Sequence, residues 1–154
     1  MLTEEERKEI EVHIEKMPKR QAACLEAMNV LQKYRGWISD ESLRELAEFL
    51  DMSPHELDSV ATFYNLIFRR PVGRHVILVC DSISCWIMGN EKLEAHLKRK
   101  LNIDWGETTA DKRFTLLPTV CLGTCDHAPA LMVDEDLHRG LEAGQLDDIL
   151  EQYK

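Results

Sequence analysis

Apolar residues recur three and four positions apart through the first 70 residues, and in short unbroken runs after that. The first spacing belongs to helices with one buried face, and the second to strands covered on both sides. Thr3 and Glu6 stand as a capping box ahead of Ile10, Ile14 and Met17, and Pro18 ends that helix or begins the next. Cys24, Leu25, Met28 and Leu31 share a second helical face, with Gly36 at its C-terminal end. Leu43, Leu46, Ala47 and Leu50 mark a third helix after Ser39. The stretch SPHE at 53–56 opens a fourth, with Ser53 as N-cap, Pro54 in the first turn and Glu56 three residues on. Leu57, Val60, Phe63 and Tyr64 are the apolar positions of that helix and are expected in its core.

Beyond residue 71 the period changes. PVGR is a turn, and HVILVC at 75–80 is a short β-branched run that predicts a buried strand ending at Cys80. Asn90 is placed to cap a helix carrying Leu93, Leu97 and Leu101. That helix has Glu94 and Lys98 paired at i,i+4 and a basic last turn. RFTLLP at 113–118 predicts a second strand broken by Pro118, ALMV at 130–133 a third, and DEDLHRG a turn with a short fourth strand. Leu146, Ile149, Leu150 and Tyr153 predict a terminal helix. The chain therefore reads as α+β: a helical bundle over 1–70, then a β-α-β-β-α domain over 71–154 with a small sheet covered by helices. Both clusters of cysteine, described below, fall in loops next to strand ends.

Composition narrows what such a chain does. Its 154 residues suffice for a core without disulfide staples. No apolar run approaches the ~20 residues of a membrane span, and the acidic start MLTEEERKEIE does not resemble a secretory or transit signal. A reducing cytosol is the expected setting, where thiols outlast disulfides. The net charge of −9, with no basic stretch interleaved with aromatics, argues against nucleic-acid binding. There is no G-x-G-x-x-G, no P-loop and no Cys–His–Asp arrangement for nucleophilic chemistry, so no nucleotide site and no catalytic residue is expected.

Four of the five cysteines lie in two pairs, CDSISC at 80–85 and CLGTC at 121–125, with 35 residues between them. Disulfides do not suit the compartment. Thioredoxin-type redox chemistry needs C-x-x-C, which is absent. A Cys₄ zinc site is compatible with the chemistry, although neither pair has the common two-residue spacing. Four thiolates also hold [2Fe-2S] or [4Fe-4S] clusters. The plant-type C-x₄-C-x₂-C and the bacterial four-iron run are both missing. CDH at 125–127 looks like half a Rieske site, but no second Cys–His pair follows it, so His127 is read as a surface histidine or one that supports a ligand. Two pairs and two irons, one pair to each, is the simplest arrangement. Gly123 fits it, because a residue without Cβ lets backbone N–H groups approach the sulfurs.

The spacing C-x₄-C, 35 residues, C-x₃-C within CLGTCDHAPALMVDED resembles the thioredoxin-like [2Fe-2S] ferredoxins. VATFYNLIF at 60–68, PVGRHVILVCDSISC at 71–85 and FTLLPTVCLGTC at 114–125 are similar to the E-subunit family of bacterial NADH:quinone oxidoreductase, respiratory complex I. The resemblance covers nearly the whole chain. It implies a thioredoxin-like domain behind the helical extension, with Cys80, Cys85, Cys121 and Cys125 as ligands of one [2Fe-2S] cluster. It also implies an electron-transfer role and no catalysis by the chain alone. The implied partners are an F subunit that binds FMN and NADH, and the G subunit. The chain would then sit at the cytoplasmic face of the inner membrane without entering it. The equivalent subunit of an NAD-reducing hydrogenase or NAD-dependent formate dehydrogenase is the related alternative, and a structural zinc module the alternative of a different class. Cys24 is expected to be a packed free thiol, and Trp86 either a shield between cluster and water or a contact with a partner. His13, His55, His75, His96 and His138 have no metal-ligand spacing.

Overall fold

A computed structural model describes residues 1–154 as two compact units, Met1–Pro71 and Val72–Lys154. In the first unit α1 (Glu4–Ile14), α2 (Cys24–Arg35), α3 (Asp40–Phe49) and α4 (Pro54–Phe63) form the bundle, with a 3-10 turn at Arg20–Ala23 leading into α2. Side-chain caps set their starts. Thr3 and Glu6 close a full capping box on α1, Ser39 caps α3 through the Ser42 N–H, and Ser53 and Glu56 close a second box on α4 with Pro54 in its first turn. Each such cap satisfies amide groups that a helix start leaves free, for about 1 kcal/mol.

α1 packs on α2 and α3 on α4, around Ile10, Met28, Leu31, Leu46, Leu50 and Leu57, all fully buried. Burying each such side chain contributes about 1.5–3 kcal/mol. A polar clamp crosses the bundle. Arg35 donates to both Glu6 oxygens at 2.7 and 2.9 Å, to Ser42 Oγ at 2.8 Å and to Glu45 at 3.1 Å. Glu6 is buried, so these bonds replace the water it loses.

The ends of two helices differ from the pattern. α1 stops at Ile14, so Met17 packs from the following turn. α4 stops at Phe63, and the core expectation for Phe63 and Tyr64 is overturned: Phe63 is 79% exposed, and Tyr64 is exposed too. Phe63 lies two residues, about 200° of helical rotation, beyond the buried Ala61. Tyr64 has already left the helix with φ −93° and ψ 113°.

The second unit is built on a four-stranded sheet, β1 (His75–Cys80), β2 (Phe114–Thr119), β3 (Ala130–Val133) and β4 (Asp136–Arg139), in the order β2-β1-β3-β4. β1 pairs parallel with β2 and antiparallel with β3. The continuous apolar run of β1 follows from that central place. The α6 helix (Asn90–Leu101) makes the crossover between the parallel strands, with Leu93 and Leu97 packed against Ile77, Val79 and Leu116. α7 (Leu146–Leu150) closes the same core with Leu146 and Ile149. Tyr153 lies past its end, where its hydroxyl donates to Asp136.

Pro118 does not break β2, which runs on to Thr119. β2 is an edge strand, where a missing N–H is tolerated. Gly73 is needed for space: a Cβ there would stand 3.0 Å from the Arg113 carbonyl carbon and oxygen.

Candidate metal centre

The parallel pairing of β1 with β2 explains why two distant cysteine pairs meet. Cys80 stands opposite Thr119 in the register, so both strands end side by side, and the Asp81 N–H still reaches the Thr119 carbonyl at 3.0 Å. The chain leaves β1 into the short helix α5 (Ile83–Ile87), which carries Cys85. It leaves β2 into the loop that carries Cys121 and Cys125, the latter opening a 3-10 turn over Cys125–His127. Cys80 is thus the last residue of a strand and Cys85 lies in a helix, so the first pair is not a loop pair as expected. Asn90 is not the cap of α6. Gly89, in the left-handed region, takes that place, and Asn90 donates its amide to the Cys80 carbonyl at 2.9 Å. That bond ties the end of β1 to the start of α6.

The sulfurs differ in exposure. Cys80 and Cys85 are each 2% exposed and share a small core with Ala128, Ala130 and Leu122, whereas Cys121 and Cys125 face outward. Cys121 Sγ and Cys125 Sγ stand 3.2 Å apart. Backbone amides converge on this sulfur set. Gly123 N–H donates to Cys121 Sγ at 3.3 Å, those of Ser82 and Leu122 donate to the Cys80 sulfur, and that of Ala130 donates to Cys85. Leu122 and Ser84 join the two pairs, the first through its amide to Cys80 and the second through its hydroxyl to Cys125. Gly123 has φ +81°, and nothing lies within 4 Å of an added Cβ. Its backbone conformation, not the space around it, is what calls for glycine.

These surroundings separate the acidities. Burial pushes the Cys85 thiol up to about 11, helped by its hydrogen bond to Cys80. Burial acts the same way on Cys80, but amide donors and the Cys85 thiol outweigh it and bring Cys80 below the ordinary value. Cys125 is held high by its hydrogen bond to Cys121. A bare thiolate at Cys85 is costly, so this donor set suits an occupant that brings positive charge. The thiols form two pairs, the arrangement in which each iron of a two-iron group takes one pair.

A rim of exposed apolar side chains borders the cysteines: Ile83, Ile87 and Met88 in and just after α5, and Val120 beside Cys121. Trp86 belongs to that rim. It is 54% exposed and its indole N–H donates to Glu91 at 3.0 Å. His127 is exposed and paired with Asp126 at 2.8 Å. Cys24 lies in the first unit at the start of α2, partly buried, its thiol raised by that burial. Asn90, Ser84 and Thr124 are the site residues that sequence reasoning missed as such. Only their nearness to cysteines in the chain hinted at a part.

A family profile described as thioredoxin-like [2Fe-2S] ferredoxin matches residues 10–154. The chain belongs to that ferredoxin family. Among these thioredoxin-like ferredoxins it is 46% identical to the E subunit of the NADH-quinone oxidoreductase of Escherichia coli, over 99% of this chain and 92% of that one. Identity to the corresponding E subunit of Pseudomonas aeruginosa is 45%, with the same coverage of both chains. In structure the ferredoxin is similar to a chain of an NAD+-reducing [NiFe]-hydrogenase in the air-oxidised state, with TM-score 0.69 and 28% identity over 87% of this chain. It spans only 22% of that hydrogenase chain. The cofactor of the family is the [2Fe-2S] cluster, and the donor set described above fits it.

Proposed function

We propose that this chain is the electron-carrying E subunit of an NADH:quinone oxidoreductase, and that Cys80, Cys85, Cys121 and Cys125 hold its [2Fe-2S] cluster. The observation that carries the assignment is the meeting of the two cysteine pairs at one end of the parallel β1–β2 ladder. The near full-length identity to the two E subunits supports the choice of host complex. Such a cluster supplies one-electron exchange at a tunable potential.

The residues of this chain do the rest. Cys80 and Cys85 anchor the group in the protein, while Cys121 and Cys125 leave it near the surface, where an electron can cross to a partner. The N–H groups of Ser82, Leu122, Gly123 and Ala130 point at sulfur, where they stabilise added negative charge. Leu122, Ala128 and Ala130 exclude water from the inner side. The partner is an F subunit bearing FMN and NADH, with the G subunit in the same assembly. No helix is long and apolar enough to cross a membrane. In this reading the chain attaches to the cytoplasmic face of the membrane through the complex. The helical unit, 1–70, and the cluster unit, 71–154, act as separate domains. The hydrogenase likeness supports a second reading, the equivalent module of an NAD-linked hydrogenase.

Metal analysis of the purified chain, followed by identification of the chains that copurify from native membranes, tests both points. The expected result is a red-brown protein with about two irons and two acid-labile sulfides per chain, copurifying with quinone-reductase subunits. A colourless chain with one zinc and no sulfide would overturn the ligand assignment. Hydrogenase subunits in the copurified set would decide for the second reading.

A further inference from the structure

The buried side-chain polar atoms without a hydrogen-bond partner are Asn90 Oδ1 and Thr124 Oγ1, and both residues sit at the cysteine site. Buried polar groups in folded proteins almost always find a partner. The two orphans differ in what they can accept as one. The Asn90 amide is already spent on the Cys80 carbonyl, and its free oxygen can only accept. Thr124 has a hydroxyl proton to give. It lies between Gly123 and Cys125 and is 8% exposed, the buried residue of a loop whose other members from Val120 to His127 are exposed or half-buried. Its peptide is held in place, since the Thr124 carbonyl accepts the His127 N–H at 3.0 Å. A loop that turns one hydroxyl inward and gives it no protein acceptor leaves room for an acceptor that is not protein. Sulfur carrying negative charge is such an acceptor.

We propose that the Thr124 hydroxyl donates a hydrogen bond to a sulfur of the cluster and raises its reduction potential. This rests on the ligand assignment above. The reduced cluster carries one more negative charge than the oxidised one, so a donor stabilises the reduced form more. Thr124 is then a positioning and tuning residue, with the four cysteines remaining the ligands.

Redox titration of the cluster-loaded whole chain, followed by electron paramagnetic resonance, tests it in wild type, Thr124→Ser and Thr124→Val. Valine keeps the shape and removes the donor, and serine keeps the donor. Thr124→Val should lower the one-electron equilibrium constant for reduction about tenfold, equivalent to about 59 mV, and Thr124→Ser should stay near wild type. An unchanged potential in the valine variant with its cluster intact would overturn the proposal. If valine fails to hold the cluster, Thr124→Ala serves in its place under the same criterion. A high-resolution structure of the loaded wild-type chain gives an independent reading. Thr124 Oγ1 in hydrogen-bond contact with a sulfur supports the proposal, and Oγ1 turned to a water or a carbonyl overturns it. A wild-type chain that takes up no two-iron cluster would instead show that the ligand assignment itself has failed.

Discussion

Cys24 and Cys80 are the same residue type under opposite demands. Cys24 packs at the start of α2 with its thiol raised by burial, and no other cysteine lies near it in sequence. Cys80 sits at a strand end with amides aimed at its sulfur. Cys24→Ala should therefore keep the visible spectrum and iron content and cost about 1 kcal/mol in urea unfolding, the value of a small apolar group partly withdrawn from water. Cys80→Ala should lose the visible absorption while far-ultraviolet circular dichroism stays native. Loss of the spectrum in the Cys24 variant would mean that the wrong four cysteines were chosen. At this scale, legibility followed spacing. The two pairs stood out because C-x₄-C and C-x₃-C are rare and specific. The exposed Phe63 and Tyr64 were misjudged because aromatic side chains look like core in any local window, and only the helix end shows otherwise. Thr124 was invisible for a further reason, since burial of one loop hydroxyl is a property of the folded loop alone.

The elements of the helical unit were legible through their ends. Thr3, Ser39 and Ser53 cap where the spacing placed them, because a cap is a local bond between residues three apart. The clamp that holds the elements to one another was not legible, since Glu6 and Arg35 are 29 residues apart. The hydrogen bond from Arg35 is the main cause that keeps the Glu6 carboxyl below its ordinary value of 4.5, against the opposing effect of burial. A group with a depressed folded pKa contributes stability above its unfolded pKa and loses it as the pH falls through the folded value. Glu6→Gln should accordingly cost about 1–3 kcal/mol at neutral pH, the worth of hydrogen bonds to a charged group. The difference between wild type and variant should shrink as the pH falls from neutral through the ordinary carboxyl value of 4.5 and the lowered folded value, where the wild-type carboxyl takes up its proton. Chemical denaturation at several pH values checks this, and a difference constant across that range would refute the assigned linkage. In the sheet unit, strand identity was legible from apolar runs, but the parallel partner of β1 was not. Pairing across the 33 residues between Cys80 and Phe114 depends on α6 and the sheet together. The site forms only at that level.

At the scale of the whole molecule, the chain has an electron-transfer centre in the proposed reading but no recognised site for NADH or flavin, so electrons must cross an interface. Each unit offers apolar surface for one. The sheet unit exposes Ile83, Ile87, Met88 and Val120 around the cysteines, and the helical unit exposes Phe63, Tyr64 and Leu66 at the end of α4. An electron has to pass near the exposed Cys121 and Cys125, which makes the first patch the expected contact with a flavin-bearing subunit. The second patch coincides with the VATFYNLIF stretch. Ile87→Glu and Phe63→Glu should each leave the visible spectrum and the fold intact, because neither side chain is buried in the chain itself. Each should weaken assembly with the FMN-containing subunit at least tenfold, about 1.4 kcal/mol, since a charge would have to be desolvated in the contact. Analytical ultracentrifugation or calorimetry of the two purified subunits measures that affinity. The isolated chain should neither bind NADH at physiological concentration nor oxidise it, while the assembled pair should oxidise NADH with an artificial acceptor. Unchanged affinity in both variants would move the interface elsewhere on the chain. Tight NADH binding by the single chain would overturn the division of labour itself, because the flavin partner would then not be needed to receive the hydride.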